Sequence, residues 1–284
     1  MITSIIFSKD RPLQLHLSLT SILRNFQDSS EVVVIYDCSE NFKEAYDILQ
    51  QEFADTGVNW WRQNESLFQD FLFCIGDSKN SLISLFTDDG ILFEEAPPID
   101  HSVFEWDDFH CFSLRMGQNT IFRDHEGQRF SDSPPTLHTL NEKYLAWNKT
   151  FSGYGSYWSY SISLDGHIFR KKDIFDWMAE LFYLEKFNRW KSTPNVIEAQ
   201  MQRFWPMTKQ AMVCYPTSVY VNSPNNRVSE THKDNVSGLQ YSSSADLLLK
   251  EFMAGKRIDI NLLDFSNVNC PHTEIDIVKG IKNV

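Results

Sequence analysis

Cysteine is scarce in this chain, and what there is lies scattered. Cys38, Cys74, Cys111, Cys214 and Cys270 form no C-x-x-C pair. An odd, dispersed set argues against a zinc cluster or a disulfide framework and fits reduced thiols in a cytoplasmic protein. Positive charge is also short: 26 Lys and Arg face 38 Asp and Glu, for a net charge of −12. A general nucleic-acid-binding surface needs clustered Lys and Arg, so the balance argues against that class. It does not argue against a small anionic ligand, which needs only a few local donors. No apolar run approaches the roughly 20 residues of a membrane span. The opening Met1-Ile-Thr-Ser-Ile-Ile-Phe-Ser8 lacks the basic start and the length of a signal peptide. A glycine-rich phosphate loop is missing too. Ser8-Lys9-Asp10-Arg11 matches neither G-x-G-x-x-G nor G-x-x-x-x-G-K-[ST], which leaves dinucleotide-fingerprint and P-loop chemistry unsupported.

Apolar and aromatic residues are plentiful. They make up 42% and 14% of 284 residues, with 22 Phe and 8 Trp. This is a globular composition, long enough for one large domain or two small ones. Ile2 to Phe7 reads as a buried first strand. Pro12 suits the first turn of a helix whose Leu15, Leu19, Ile22, Leu23 and Phe26 fall at helical spacing. Glu31 to Tyr36 is a β-branched run typical of a central parallel strand, ending at Asp37. A helix over Asn41 to Phe53, a strand over Val58 to Trp61, and a helix capped by Asn64 follow. The Leu82–Phe86 strand completes a β-α-β-α-β-α-β run, which predicts a parallel sheet with right-handed crossovers.

Beyond residue 93 the pattern loosens. A short helix is expected in Pro97 to Trp106, and strands at His110 to Leu114 and Thr120 to Arg123. Gly127 to Leu140 is polar and reads as a loop. The aromatic, glycine-rich stretch Trp147 to Tyr160 leads to Ile162-Ser-Leu-Asp-Gly-His-Ile-Phe169 and the basic Arg170-Lys171-Lys172. Helices are expected over Phe175–Tyr183, Asn195–Phe204 and Ala245–Phe252. Short strands are expected at Met212–Tyr215 and Ser218–Val221. Asn222 to Gly238 lacks periodicity and reads as a mobile loop.

The most chemically suggestive place is Thr87-Asp88-Asp89-Gly90, where two adjacent carboxylates close a hydrophobic strand. Ligands of open α/β sheets collect at such carboxyl ends, and paired carboxylates suit a hard divalent cation on a diphosphate. An acidic turn, with Gly90 allowing the change of direction, is the plainer reading.

Taken in order, four segments resemble nucleotide-sugar-dependent glycosyltransferases of the GT-A fold, family-2-like. They are Phe7-Ser8-Lys9-Asp10-Arg11-Pro12-Leu13, the strand ending Tyr36-Asp37, Phe86-Thr87-Asp88-Asp89, and Trp158 through Arg170. The resemblance covers about residues 1–205. It implies an α/β, Rossmann-like, mostly parallel central sheet flanked by helices, with a decorated C-terminal half. It also implies one GT-A-like domain: a nucleotide-binding half (1–95), an acceptor-binding half (96–221), and a mobile loop with a C-terminal helical segment (222–284). The implied reaction moves a sugar from a nucleotide-diphosphate sugar, UDP favoured, to a hydroxyl of a saccharide or lipid-linked glycan. Bacterial surface-polysaccharide or lipopolysaccharide synthesis is the implied setting, cytoplasmic or peripheral at the inner face of the membrane. Phe7, Ser8, Lys9, Arg11 and Asp37 would hold the nucleotide, Asp88 the sugar or ribose, and Asp89 a Mn²⁺ or Mg²⁺ ion. The motif departs from a spaced D-x-D, since Thr87 takes the first acidic place.

Such a reaction, if inverting, needs a carboxylate to take the acceptor's proton. Asp165, beside Gly166, and Glu198, four residues after Pro194, are the candidates; Glu198 is equally a helix-dipole partner. His232, in the polar loop, is a candidate metal ligand or an exposed side chain, and Arg227 a candidate diphosphate contact. The aromatic stretch stacks on acceptor sugars or fills a core corner. Arg170-Lys171-Lys172 meets an anionic lipid-linked acceptor or is a solvated helix start. Two other readings stay open: a GT-A-fold scaffold without transfer, and a metal-dependent phosphohydrolase using Asp88 and Asp89.

Overall fold

The structure is a computed structural model and describes residues 1–64, 66–125, 128–153, 155–184, 193–228 and 237–283. Its first half follows the expected alternation: β1 (Ile2–Lys9), α1 (Pro12–Asn25), β2 (Ser29–Asp37), α2 (Lys43–Glu52), β3 (Val58–Arg62), α3 (Leu67–Asp77) and β4 (Leu82–Thr87). β1 lies between β2 and β4, and β3 flanks β2, all parallel. The register sets Lys9 beside Asp37 and Phe7 beside Thr87. The carboxyl ends of three strands therefore open onto one edge, where ligands of parallel sheets collect.

The chain continues through β5 (Gly90–Leu92), β6 (Phe109–Ser113), β7 (Phe122–His125), β8 (Gln128–Ser131), β9 (His138–Leu140), β10 (Tyr144–Asn148), β11 (His167–Arg170), α4 (Lys171–Leu184), α5 (Pro194–Met201), β12 (Ala211–Cys214), β13 (Tyr220–Asn222), α6 (Ala245–Met253), β14 (Lys256–Ile258) and β15 (Ile281–Asn283). One nine-stranded sheet runs β3-β2-β1-β4-β11-β6-β12-β10-β9. Only β11 and β10 oppose the direction shared by the other strands, so the sheet is mixed but mostly parallel.

Alternate residues of each central strand face opposite sides. Ile6, Val34 and Phe86 join a core with Leu15, Leu19 and Ile22 of α1 and Leu248 and Phe252 of α6. Ile5, Val33, Ile35 and Leu85 face the other way, onto Phe68 and Phe71 of α3, Met178 of α4 and Ile197 of α5. Helices thus cover both faces, as a buried parallel sheet requires. All five cysteines are buried and free. No helix among the described residues is long and apolar enough to cross a membrane.

Several sequence expectations are corrected. α3 is capped by Ser66, whose hydroxyl accepts from the Gln69 amide, while the Asn64 amide donates to Asp70. α4 begins at Lys171, earlier than expected, and the helix after Pro194 gives way at Gln202 to a 3₁₀ turn. The polar stretch 127–140 contains β8 and β9. β7 and β8 pair as a hairpin held by Arg123 over Phe130 and Arg129 over Phe122, contacts that leave no apolar alternation to read. The aromatic stretch begins at the end of the sheet strand β10, which contains Trp147, and continues as a 3₁₀ turn over Lys149–Phe151. The C-terminal segment is not only helical, since β14 and β15 pair. The polar loop is anchored at both flanks. The Ser223 amide donates to the Asp89 carbonyl, and Glu274 accepts from the amides of Leu239, Gln240 and Tyr241.

Gly90 meets a different requirement from the one expected. It is absent from the glycines with positive φ. A Cβ there would lie 1.8 Å from the Tyr220 phenol oxygen. The glycine makes room for a ring rather than bending the chain. Gly166, with φ +69°, approaches the same ring, its Cβ position falling 2.6 Å from Tyr220 Cδ1.

Candidate active site

β4 ends where its backbone leaves the sheet between β1 and β11, and this delivers Thr87, Asp88 and Asp89 to the open edge. Asp88 turns back toward β1. One of its oxygens accepts from the Ser8 hydroxyl and the Lys9 amide, both at 3.0 Å; the other accepts from Arg11 Nη1 at 2.9 Å. The same Nη1 donates to Asp89 at 2.8 Å. Arg11 Nε and Nη2 donate to the side-chain and main-chain oxygens of Asn226, at 2.7 and 2.5 Å. Little of this is wet: the side chains of Arg11, Asp88 and Asp89 are 10%, 5% and 10% exposed. Burial is the largest influence on Asp88 and pushes its carboxyl up to about 6 against the pull of Arg11. The Arg11 guanidinium is moved upward, because two carboxylates outweigh its own burial.

Thr87 joins this centre to a second one. Its hydroxyl lies 2.8 Å from an Asp89 oxygen and 2.7 Å from an Asp165 oxygen. Asn222, brought opposite Gly90 by β13, donates to the same Asp89 oxygen at 2.7 Å. The other Asp165 oxygen faces Arg115 Nη1 at 3.7 Å and His272 Nε2 at 3.4 Å. His272 reaches the site because the segment Pro271–Thr273 hydrogen-bonds along Asn222. Its Nδ1 meets the Tyr157 hydroxyl at 3.2 Å. Arg115 is 1% exposed, lies over the rings of Tyr157 and Tyr160, and among the described residues its Nε and Nη2 have no hydrogen-bond partner.

Glu198 on α5 accepts from the Leu164 amide at 3.3 Å. Burial, then the nearby Asp165 charge, pushes its carboxyl up to about 7. Asp165 goes the other way. Burial pushes it up, but the hydrogen bond and charge of His272, with Arg115 and Thr87, hold it at about 2.

The sequence candidates therefore separate. Ser8, Arg11, Asp88 and Asp89 meet in one network, and Asp165 and Glu198 meet in an adjoining one. Lys9 and Asp37 pair at 2.9 Å on the exposed rim. The Phe7 side chain is core, packed edge-on to Phe71, and its carbonyl accepts from the Asp88 amide. Arg227 is exposed and follows Asn226 in the chain. His232 lies outside the described residues. Arg170 and Lys171 are taken up by main-chain carbonyls of Phe104, Trp106, Gly76 and Ser78, so two of the three basic residues serve the fold. Tyr157 lies in the aromatic stretch read as a candidate acceptor contact, whereas Asn222, Asn226, Arg115 and His272 carry no sequence signal that marks them. β13 brings Asn222, the segment Pro271–Thr273 brings His272, and the chain just after β6 brings Arg115.

The carboxylates as arranged do not fit a divalent cation. All four oxygens of Asp88 and Asp89 already accept from Arg11, Ser8, Lys9, Thr87 and Asn222. Among the described residues no group of three His, Cys, Asp or Glu side chains is disposed to hold a metal.

No family model matches the chain. No curated protein matches it either. Among solved structures, it is similar to residues 1–349 of TarS from S. aureus, at 12% identity and a TM-score of 0.47, over 89% of this chain and 70% of that one. The same fragment bound to UDP-GlcNAc gives 12% and 0.46, over 89% and 71%. The 4-diphosphocytidyl-2C-methyl-D-erythritol synthase of Anaerococcus prevotii gives 13% and 0.42, over 77% and 88%. At such identities and scores the likeness assigns neither an activity nor a substrate to this chain.

Proposed function

We propose that this chain is a glycosyltransferase that moves a sugar from a nucleotide-diphosphate sugar to a hydroxyl group. The observation that carries the reading is the pair of charged networks at one sheet edge, joined through the Thr87 hydroxyl. Transfer between two substrates needs two adjoining subsites with a group between them that can take a proton. Arg11, Asp88 and Asp89, at the ends of β1 and β4, make the donor side. Asp165, Glu198, His272 and the rings of Tyr157 and Tyr160 make the acceptor side.

Glu198 is the base. A proton acceptor works best with a pKa near the working pH, and Glu198 at about 7 suits this where Asp165 at about 2 does not. As the sugar–oxygen bond to the diphosphate breaks, the acceptor hydroxyl attacks and its proton passes to a Glu198 oxygen. Asp165 holds Arg115 in place.

UDP-sugars are the favoured donors, and a saccharide or lipid-linked glycan of a surface polysaccharide is the favoured acceptor. A Mn²⁺ or Mg²⁺ ion on Asp89, with His232 as a further ligand, remains the alternative arrangement and requires Arg11 to leave. Thermal unfolding with a panel of UDP- and GDP-sugars tests the donor reading, since a ligand that binds only the native state raises its stability. At a hundredfold excess over Kd the gain is about 2.7 kcal/mol. A panel in which no nucleotide sugar shifts the melting temperature would sink the proposal.

A further inference from the structure

We propose that Arg11 holds the place of a divalent cation between Asp88 and Asp89, so that nucleotide diphosphate binds here without a metal ion. The inference rests on the donor-site reading above and adds the means by which charge is handled.

Three observations converge on it. First, a single guanidinium nitrogen bridges the two carboxylates, at 2.9 and 2.8 Å, as a cation shared by adjacent acidic residues would. A guanidinium stays charged at any working pH and tolerates a dry setting better than an ammonium. Second, the outer oxygens of both carboxylates are filled by neutral donors: the Ser8 hydroxyl and Lys9 amide on Asp88, the Thr87 hydroxyl and Asn222 amide on Asp89. A hard cation that prefers six or more oxygens and dehydrates reluctantly finds none of these open. Third, Arg11 is anchored independently of the carboxylates, because Nε and Nη2 both donate to Asn226. Expelling it costs those bonds too, and leaves a nearly buried guanidinium to be rehoused.

Arg11 is also the N-cap of α1, a 14-residue helix with no side-chain cap and no acidic residue in its first turn. The positive end of the helix therefore adds to the charge that Arg11 brings to this edge. The two acidic residues then act as orienters of the guanidinium, not as ligands of an ion.

Isothermal titration of the full chain with UDP and with GDP, in EDTA and in Mn²⁺, tests this. The expected result is that whichever nucleotide binds does so with the same Kd in both buffers, within about twofold, or roughly 0.4 kcal/mol. Arg11→Gln should weaken binding in EDTA by about tenfold or more and regain it with Mn²⁺, because the carboxylates are then free. Arg11→Lys, which keeps the charge and loses the fork, should fall between and guards against a folding defect in the first variant. Wild-type binding that tightens by about tenfold or more with Mn²⁺ overturns the inference and leaves the donor reading standing. Wild-type affinity in EDTA for Arg11→Gln overturns it as well. Failure of both nucleotides to bind in either buffer overturns the donor reading itself, and this inference with it.

Discussion

Asp165 and Glu198 are neighbouring carboxyls driven in opposite directions from the ordinary carboxylate range, and each shift has a measurable consequence. The Glu198 pKa is raised in the folded state, to about 7 from 4.5. The native state therefore binds its proton more tightly, and stability falls as pH rises from about 4.5 through 7. Glu198→Gln should flatten that decline, by on the order of 2 kcal/mol in urea unfolding at pH 8 against pH 5, while transfer is lost. A variant as pH-sensitive as the wild type would show that Glu198 is solvated. Asp165 is depressed to about 2 from 3.8, so its contribution is complete above 3.8 and disappears as pH falls toward 2. Asp165→Ala leaves Arg115, 1% exposed, without its carboxylate. Stranding a buried charge costs roughly 3–5 kcal/mol, which denaturant unfolding at pH 7 would register. Asp165 and Glu198 were legible in the sequence because a carboxylate beside a turn glycine or after a helix-opening proline is visible locally. Arg115 and His272 were not, because what matters about them is a partner 50 residues away in one case and 107 in the other, 165 being the shared contact.

At the scale of elements, the parallel half was readable and the rest was not, for one physical reason. β1, β2 and β4 are buried on both faces, so their sequences are continuous apolar runs. β8 is exposed throughout and β9 is an edge strand of His138-Thr-Leu140; neither has an apolar face to announce it. The cap of α3 falls two residues beyond Asn64 because Asn64 and Ser66 are both good caps, and only the Ser66 hydroxyl accepts from the helix. Ser66→Ala should therefore cost about 1 kcal/mol, seen as a lowered urea midpoint, and Asn64→Ala should not remove the helix cap. Gly90→Ala tests the close approach of β5 to β13. The new methyl would meet the Tyr220 hydroxyl and ring, and overpacking of this kind costs typically 1–3 kcal/mol. An unchanged melting temperature would mean that the ring moves aside freely.

Across the whole molecule, the last segment is what closes the site. Arg257, on β14, pairs with Glu52 at the end of α2, Nε to Oε2 at 3.0 Å, and lies over Phe252. Asn225 reaches the Ile275 carbonyl at 2.8 Å, and Thr273 and Pro271 bracket Asn222. A chain cut after Ala254 should lose nucleotide binding along with stability, whereas a purely peripheral tail would leave the wild-type titration curve. Tyr220 is buried in full, and the Cβ positions of Gly90 and Gly166 both fall against its ring. Those two glycines belong to the turns that carry Asp88 and Asp89 on one side and Asp165 on the other. The Tyr220 ring thus packs against both turns, while the Thr87 hydroxyl joins the two charged centres they carry. A residue of another size at position 220 would shift both turns at once, and with them the carboxylates of Asp89 and Asp165, without replacing any charged group.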